Sequence, residues 1–440
     1  MGIPTLQGLQ TALSGLLAGQ EALDVVGQNI ANAQTPGYTR QQAVLVTNPP
    51  ITIPALSPNN GRGAVLGTGV GLETIQRVHD VYVEEALRGA TTQLGQATAE
   101  SGVLAAVQRG LDEPSASGLA AALSSFWSAW NSLASAPTSL AAREAVIAAG
   151  REVVTALHGL AASLREAEGE AKGRLAALLG EGGTVAEIAG QVASLNGEIK
   201  LAVQAGQEPN ELIDKREALL SQLAKLGAVT VREGADQVVN VGFGGAEKPL
   251  VQEGKVNWPQ TVGAAAGGEV GALIAFTEPG GRLAQLQGRL NQVAEALART
   301  VNEHQPEKPF FSFTSGEAAA SIAVVASPES IQTGPAGAPG NTEYARAIAA
   351  LRGGEAETLY IAYAAGIGRE AAAAKSALER AEAVQSALAK EQQTISGVSI
   401  DEEMTNMLAL QRGYEASARV LTAMDQVLET LIEHTGVVGL

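Results

Sequence analysis

The amino-acid sequence predicts a mainly α-helical protein: an elongated helical bundle with its N- and C-terminal helices paired as a coiled coil, plus a small inserted β domain and a β-hairpin. Apolar residues recur in steps of three and four at both ends of the chain, which is the spacing of a coiled-coil seam. Hydrophobic residues make up 45% of the sequence and aromatic residues only 3%. The cores must therefore be built from aliphatic side chains, which suit close helix packing.

The first segment predicts a single amphipathic helix that ends before a turn. Asn32 is followed by Thr35, Pro36 and Gly37, and a proline disfavours helix in the residue before it. The seam of this helix consists of Leu6, Leu9, Leu13, Leu16, Gln20, Leu23, Gly27 and Ile30.

The last segment repeats this pattern. Ser399 is placed to cap the helix, with Glu402 three residues later as the capping-box partner. Neither terminal helix has a neighbour in sequence that could cover its apolar stripe, so we expect the two to pair antiparallel. The C-terminal seam consists of Ile400, Met404, Met407, Gln411, Tyr414, Ala418, Leu421, Asp425, Leu428 and Ile432.

The chain divides into three predicted parts. Residues 1–35 and 399–440 form the terminal coiled coil. Residues 36–226 and 283–398 form a helical body, which includes a β-hairpin near 43–78. Short β-branched runs split by glycines predict a small β insertion at 227–282, and an extension of it over 308–335 stays open.

Composition and motifs exclude several classes of site. The net charge is −17 and no basic patch is visible, which argues against a nucleic-acid partner. The chain has no cysteine, and its four histidines lack metal-ligand spacing. No phosphate-binding loop or nucleophile elbow is present. We therefore expect no catalytic residue, no metal and no cofactor.

The N-terminal sequence bears on secretion. No lysine or arginine precedes Arg40, so the basic region of a cleavable signal peptide is missing. We expect no apolar run long enough to span a bilayer, which takes about 20 residues. We expect no membrane insertion and, if the protein is secreted, a route without a cleaved signal.

Two terminal motifs identify a family. The stretch 29–40 reads NIANAQTPGYTR and resembles the signature of the axial proteins of the bacterial flagellum, the family of rod, hook and junction subunits. Its motif positions here are Asn29, Asn32, Thr35, Pro36, Gly37 and Tyr38. The run from Ser399 to Leu431 resembles the matching C-terminal signature. From chemistry alone, the asparagines could equally be helix-end residues and Tyr38 a core aromatic.

Three internal stretches resemble the hook–filament junction members of this family. They are LDEPSASG at 111–118 with the tryptophans that follow, NELIDKRE at 210–217, and GAPGN at 337–341. The resemblance covers nearly the whole chain in order. Larger family members carry extra β domains facing outward, and the short β insertion here departs from that pattern.

The resemblance implies a structural role without enzymatic activity. It implies export in an unfolded state by the flagellar type III system and an extracellular location in the flagellum. The expected partners are identical subunits in a ring, the hook protein, a second junction protein and an export chaperone that binds the C-terminal helix. The terminal helices would form the innermost layer of a tubular assembly.

Two groups of residues follow as site hypotheses. The apolar seams predict an assembly interface at Leu6, Leu9, Leu13, Leu16, Leu23, Ile30, Leu421, Leu428 and Ile432. The adaptable side chains Met404 and Met407, with Tyr414, are candidates for the chaperone site. We expect both terminal helices to be largely disordered in the free monomer and to order on assembly.

Three alternatives remain open from the sequence. The chain could be a hook or rod subunit, although its helical body argues against a strand-rich hook subunit. It could be a wall-processing hydrolase, which would require a carboxylate pair in a β-rich cleft. It could be a helical adaptor, which would have ordered termini in the monomer.

Overall fold

The computed structural model describes residues 3–53, 64–111, 113, 115, 118–335 and 340–434, apart from the side chains of 3–6, 52, 53, 64, 431 and 434. The predicted seam residue Leu6 and most of the 337–341 stretch therefore lie outside the described side chains. Long helices dominate this part of the chain, which confirms the predicted mainly α-helical fold. The helices are α1 (Ile3–Asn32), α2 (Val81–Leu111), α3 (Leu119–Ser135), α4 (Leu140–Leu179), α5 (Thr184–Gln204), α6 (Asn210–Leu226), α7 (Gly268–Thr277), α8 (Arg282–Asn302), α9 (Ala318–Ser321), α10 (Glu343–Ala349), α11 (Glu355–Ser396) and α12 (Ile400–His434).

The strands form small antiparallel sheets. Two two-stranded pairs, β1 with β4 and β2 with β3, make one long hairpin that leaves and returns near α1. Four further strands form one sheet in sequence order, and the last two form a short pair. The strands are β1 (Gln41–Thr47), β2 (Ile51–Ile53), β3 (Ala64–Leu66), β4 (Val70–Arg77), β5 (Val229–Glu233), β6 (Val239–Phe243), β7 (Val251–Gln252), β8 (Lys255–Val256), β9 (Phe311–Ser312) and β10 (Ala323–Val324).

The larger core lies among α2, α3, α4, α8 and α11. Helix α3 buries the apolar face that its sequence spacing indicates, with Phe126 and Trp130 fully enclosed. Phe126 lies 5.5 Å from Phe310 and 5.7 Å from Phe311, measured between ring centroids. These rings join α3 to the segment that follows α8, so the 308–335 stretch belongs to the body and does not extend the β insertion.

The second core joins the four-stranded sheet to α4, α5, α6 and α7. The strand prediction for 227–282 was wrong near its end, because Gly268–Thr277 form the helix α7. Almost every residue of α7 is buried. A fully buried apolar run has no polar face, so its periodicity cannot distinguish a strand from a helix. The sheet shares its core with body helices and is not a separate unit.

One helical stretch, 140–204, contains a window apolar enough to cross a membrane by length and composition alone. This corrects the expectation that no such run exists. Its apolar face is buried in the body through residues such as Val153, Leu157 and Leu164. Core helices of globular proteins pass the same test, and we interpret α4 as one.

Candidate assembly interface

The two terminal helices lie side by side and antiparallel. The residues of α1 that face α12 are small: a Cβ added to Gly8 would lie 2.7 Å from Met424 Cε, and one added to Gly15 would lie 3.1 Å from Ser417 Oγ. Small side chains let two helix backbones approach closely. The pairing of the terminal helices was predicted correctly.

On α1, the face through which the helices pair differs from the predicted seam. The buried apolar side chains of α1 are alanines and valines: Ala12, Ala18, Ala22, Val25 and Val26. The predicted seam of α1 consists of larger side chains, but the positions that meet α12 are one residue away and mostly small.

On α1 the predicted seam residues lie at the edges and outer side of the pair, whereas Leu421 and Leu428 of α12 share the face of Tyr414, Ser417 and Met424 that meets α1. Leu13 is exposed, as is its neighbour Leu17. Ile432 is the most exposed of the predicted set, at 77%. The remaining members with described side chains are half-buried: Leu9, Leu16, Leu23, Ile30, Leu421 and Leu428. The assembly-interface assignment of these residues stays a prediction.

The three chaperone candidates do not share one face. Met404 is 53% exposed, whereas Met407 and Tyr414 are half-buried. A Cβ added to Gly19 would contact Tyr414, so Tyr414 lies against α1. A partner that contacts all three side chains at once must therefore bind α12 while α12 is separated from α1.

Asn29 is the centre of a buried hydrogen-bond network at the end of α1. Its side chain is 1% exposed and uses its full capacity for direct partners. Its Nδ2 donates to Gln41 O at 2.8 Å and to Glu403 Oε2 at 3.0 Å. Its Oδ1 accepts from the Tyr38 hydroxyl at 2.9 Å and from Gln41 N at 3.0 Å. One side chain thus joins α1, the start of the hairpin and α12.

The turn between α1 and β1 brings Tyr38 back to Asn29. Asn32 Oδ1 accepts from the Thr35 hydroxyl at 3.2 Å, and Tyr38 N donates to Thr35 O at 3.2 Å. Gly37 has φ +81°, a conformation that strongly favours glycine, and Pro36 precedes it. The motif residues therefore build the turn that fixes the direction of the chain after α1.

The Tyr38 phenol is held in its neutral, donating form. Burial is the main cause, and the carboxylates of Asp214, Glu211 and Glu403 add to it; together they raise the pKa of Tyr38 to about 12. A neutral hydroxyl is what the hydrogen bond to Asn29 Oδ1 requires.

Arg40 ties the same turn to the start of α12. Its Nε lies 2.9 Å from Glu403 Oε1, and its Nη1 lies 3.2 Å from Glu402 Oε2. Its backbone N donates to Ser396 O at 2.8 Å. Ser399 Oγ accepts from Glu402 N at 3.4 Å, as the cap prediction required, while the Glu402 carboxylate pairs with Arg40.

The 210–217 stretch completes the network from the body. Asp214 Oδ2 accepts from Thr39 N at 3.0 Å, and Asp214 Oδ1 lies 2.7 Å from Arg77 Nε. Asn210 Nδ2 donates to Ile75 O at 2.9 Å, which holds β4 against α6. We call Asn29, Tyr38, Arg40, Asp214 and Glu403 the polar junction. Sequence reasoning assigned roles to none of the last three, although all lie within or beside the family-like stretches.

A polar cleft of about 600 Å³ lies beside the polar junction, between β4, α2, α6 and β5. It is the best candidate for a catalytic carboxylate pair, but two of its four acids have basic partners. Glu217 lies 3.2 Å from Arg88, and Glu84 lies 3.3 Å from His79 Nδ1. Burial raises the pKa of Glu217, and the Arg88 guanidinium opposes that rise. Within the described residues, no group of three or more potential metal ligands occurs.

Comparison with known families gives three matches along the chain. Residues 104–264 match the flagellar hook-associated protein FlgK helical domain. Residues 9–39 match the flagella basal body rod protein family, and residues 392–433 match the C-terminal family of the flagellar basal body rod FlgEFG proteins. The residues of the polar junction come from all three matched regions. Asn29 and Tyr38 lie in 9–39, Asp214 lies in 104–264, and Glu403 lies in 392–433. The polar junction is therefore where the three regions meet.

Curated relatives agree with these matches. The chain is 27% identical to flagellar hook-associated protein 1 of Bacillus subtilis, over 99% of each chain. It is 32% identical to the protein of that name from Salmonella typhimurium, over 50% of this chain and 38% of the relative. Among solved structures, the flagellar hook junction protein FlgK from Burkholderia pseudomallei has a TM-score of 0.46 at 19% identity, covering 52% of this chain and 47% of that one.

Proposed function

Because the chain belongs to the flagellar hook-associated protein 1 family, we propose that it is a ring-forming structural subunit between hook and filament, with no catalytic role. The observation that carries this proposal is the polar junction. It ties the terminal helix pair to the body through Asn29, Arg40 and Asp214 at once. Such an anchor suits a subunit that must hold its inner helices at a set angle to its outer body.

The outer side of the helix pair supports assembly through these helices. Exposed apolar side chains recur along both helices, and contiguous exposed apolar surface marks an association site. On assembly, neighbouring subunits would cover it and form an inner layer of paired helices. The exposed members are Leu13, Leu17, Ile400, Met404, Leu408, Val420, Val427 and Ile432.

Export and ordering follow from the same arrangement. The chain has no cysteine, so it cannot form disulfides during an unfolded passage to the exterior. In the free chain, the remote parts of α1 and α12 have only each other and the hairpin to bury their small-residue faces. We propose that neighbouring copies complete this burial, offsetting the entropy of ordering.

The partners proposed are identical subunits, the hook protein, a second junction protein and an export chaperone. The chaperone would bind α12 before it pairs with α1, because pairing half-covers Met407 and Tyr414 and leaves Met404 outside. Replacing Met404 and Met407 with aspartate should abolish chaperone binding in calorimetry. Unchanged binding would rule out this site.

Among the alternatives, the match of 104–264 to the hook-associated helical domain separates this chain from rod and hook subunits. In the polar cleft, Glu84 and Glu217 are held by the basic side chains of His79 and Arg88, which argues against a hydrolase. The helical adaptor differs from the proposed subunit in one testable way: its terminal helices would be stable without neighbouring copies.

The test of the proposed function is truncation in the source bacterium. A chain lacking residues 1–30 should keep a folded body, measured by circular dichroism of the purified protein. It should be absent from the hook–filament junction in immuno-electron microscopy, and filaments should fail to stay attached. Normal incorporation of the truncated chain would refute the assembly role of α1.

A further inference from the structure

An acidic groove with an apolar floor lies on the side of α1 that faces away from α12. It has a volume of about 560 Å³ and is bounded by α1, β4 and the connection from α5 to α6. Its floor includes Val25, Leu72 and Leu212. Its rim carries four exposed carboxylates: Glu21, Asp24, Glu208 and Glu211.

The rim carboxylates lack cationic partners within the chain. Glu211 accepts from Gln28 Nε2 at 2.9 Å, and Glu208 accepts from the Thr74 hydroxyl at 2.8 Å. Both donors are neutral. No lysine or arginine lines the groove, and none forms an ion pair with a rim carboxylate in the part of the chain that the structure describes. Four like charges around an apolar floor favour an amphipathic, basic occupant.

The opposite side of the helix pair carries a stripe of exposed apolar side chains that ends in one arginine: Met404, Leu408 and Arg412. Met404 and Leu408 are 53% and 55% exposed, and Arg412 follows them on the same face of α12. Helix α12 contains no lysine and only one other arginine, Arg419. Within the described residues no carboxylate pairs with Arg412, whereas Arg419 lies 3.8 Å from Glu415 of its own helix.

Groove and stripe lie on opposite sides of the pair. At about 100° of rotation per residue, the groove positions 21, 24, 25 and 28 lie about 135° around α1 from the positions that face α12. By the same arithmetic, Met404, Leu408 and Arg412 lie about 140° around α12 from the positions that face α1. One chain therefore cannot bring its own stripe into its own groove.

The two surfaces also lie at the same level along the helix pair. Gly19 is level with Tyr414, and Asn29 is level with Glu403. Residues 21–28 of α1 are thus level with the stretch of α12 that carries Met404, Leu408 and Arg412. A rotation about an axis along the helices moves one copy around a ring without changing this level.

We propose that the groove receives the Met404–Leu408–Arg412 stripe of a second copy of this chain. Leu408 would sit on the apolar floor, and Arg412 would pair with Asp24 and Glu21 at the rim. Because groove and stripe are different surfaces on opposite sides, the contact is heterologous and can continue from copy to copy until a ring closes. This inference rests on the proposed ring-forming function and names the contact that builds the ring.

Cysteine cross-linking tests the contact directly, since the chain has no cysteine of its own. Full-length chain carrying Asp24→Cys and Leu408→Cys is expressed in the source bacterium, and isolated flagella are oxidised. The contact predicts a ladder of cross-linked species larger than a dimer on a non-reducing gel. The matched control carries Asp24→Cys and Arg419→Cys, which places the second cysteine beyond the groove, and should give monomer only.

A charge exchange provides a second measurement that needs no oxidation. Arg412→Glu should reduce junction occupancy at least tenfold, Arg419→Glu should leave it unchanged, and Arg412→Glu combined with Asp24→Lys should restore much of it. Normal occupancy by Arg412→Glu, or cross-linked dimers without a ladder, would overturn the contact while leaving the proposed function intact. Absence of the unchanged chain from flagella would overturn the proposed function and the contact together.

Discussion

Asn29 and Glu403, which are 374 residues apart in sequence, share a buried hydrogen bond of 3.0 Å. The bond closes the chain on itself where α1 ends and α12 begins. Through it the two ends of the protein meet the body at one place.

Asn29→Asp should loosen the ends of both terminal helices. An aspartate cannot donate to Gln41 O or to Glu403, and it places a second carboxylate against Glu403 without solvent. An uncompensated buried charge costs about 3–5 kcal/mol. We expect a loss of that size in the opening free energy of residues 25–45, measured by amide hydrogen exchange. The matched control Asn32→Asp lies at the half-exposed turn and should cost less than about 1 kcal/mol.

Alkaline pH should weaken the polar junction through Tyr38. The pKa of this phenol is raised to about 12 from the ordinary 10. A group whose pKa is raised on folding contributes stability that is complete below its unfolded pKa. That contribution is lost as pH rises from 10 through 12. Ultraviolet difference absorbance should show a phenolate transition near pH 12 that Tyr38→Phe removes; an unchanged titration curve would contradict the burial of this hydroxyl.

The Arg77–Asp214 pair should behave as a buried ion pair. Its two side chains are about one-tenth exposed and their atoms lie 2.7 Å apart. Arg77→Met alone leaves Asp214 charged and buried, so it should cost about 3–5 kcal/mol in urea unfolding. Arg77→Met with Asp214→Leu should cost less than the sum of the two single changes. The exposed pair Lys172–Glu168 is the control, and Lys172→Met should cost about 0.5 kcal/mol.

Two glycines of α2 should respond to alanine with opposite signs. A Cβ at Gly95 would lie 1.9 Å from the backbone oxygen of Lys225, so α2 and α6 would have to separate. We expect Gly95→Ala to destabilise the body by about 1–3 kcal/mol. Gly102 is exposed with no neighbour within 4 Å, so Gly102→Ala should gain about 0.5–1 kcal/mol. Thermal unfolding of the two variants checks these signs, and a Gly95→Ala variant as stable as the unchanged chain would show that α2 and α6 are not in close contact.

The spacing of apolar residues predicts most of the helices of this fold. In α8, apolar residues spaced three and four apart, including Leu283, Leu290 and Leu297, are all buried, because a helix with one apolar face has one way to bury it. The terminal pair shows the limit of that rule. Gly8, Ala12 and Gly15 meet α12 because small residues allow close approach, whereas hydrophobicity singled out the leucines beside them.

The polar junction could not be assembled from the sequence alone. Its members come from residues near 29, 214 and 403, and only the packing of α1, α6 and α12 brings them together. Family-like motifs indicated Asn29 and Tyr38 without their partners. Helix α7 was missed for a different reason, since complete burial removes the polar residues that reveal a helical period.

The polar junction also indicates which parts of the terminal helices should be disordered in the free monomer. It holds the body-proximal ends of α1 and α12 through buried groups, whereas the remote parts of the pair have no such anchor. We therefore expect disorder in the free monomer to concentrate in residues 7–20 and 412–434, and to be less marked near Asn29 and Glu403.

Amide hydrogen exchange on the free chain and on isolated junctions tests the central claim that neighbouring copies order the terminal helices. In the free chain, we expect rapid amide exchange in residues 7–20 and 412–434 and slow exchange in the body. In isolated junctions, we expect slow exchange in both terminal segments. Equal, strong protection of these segments in both samples would contradict it. The helices would then be stable within one chain, as a helical adaptor requires.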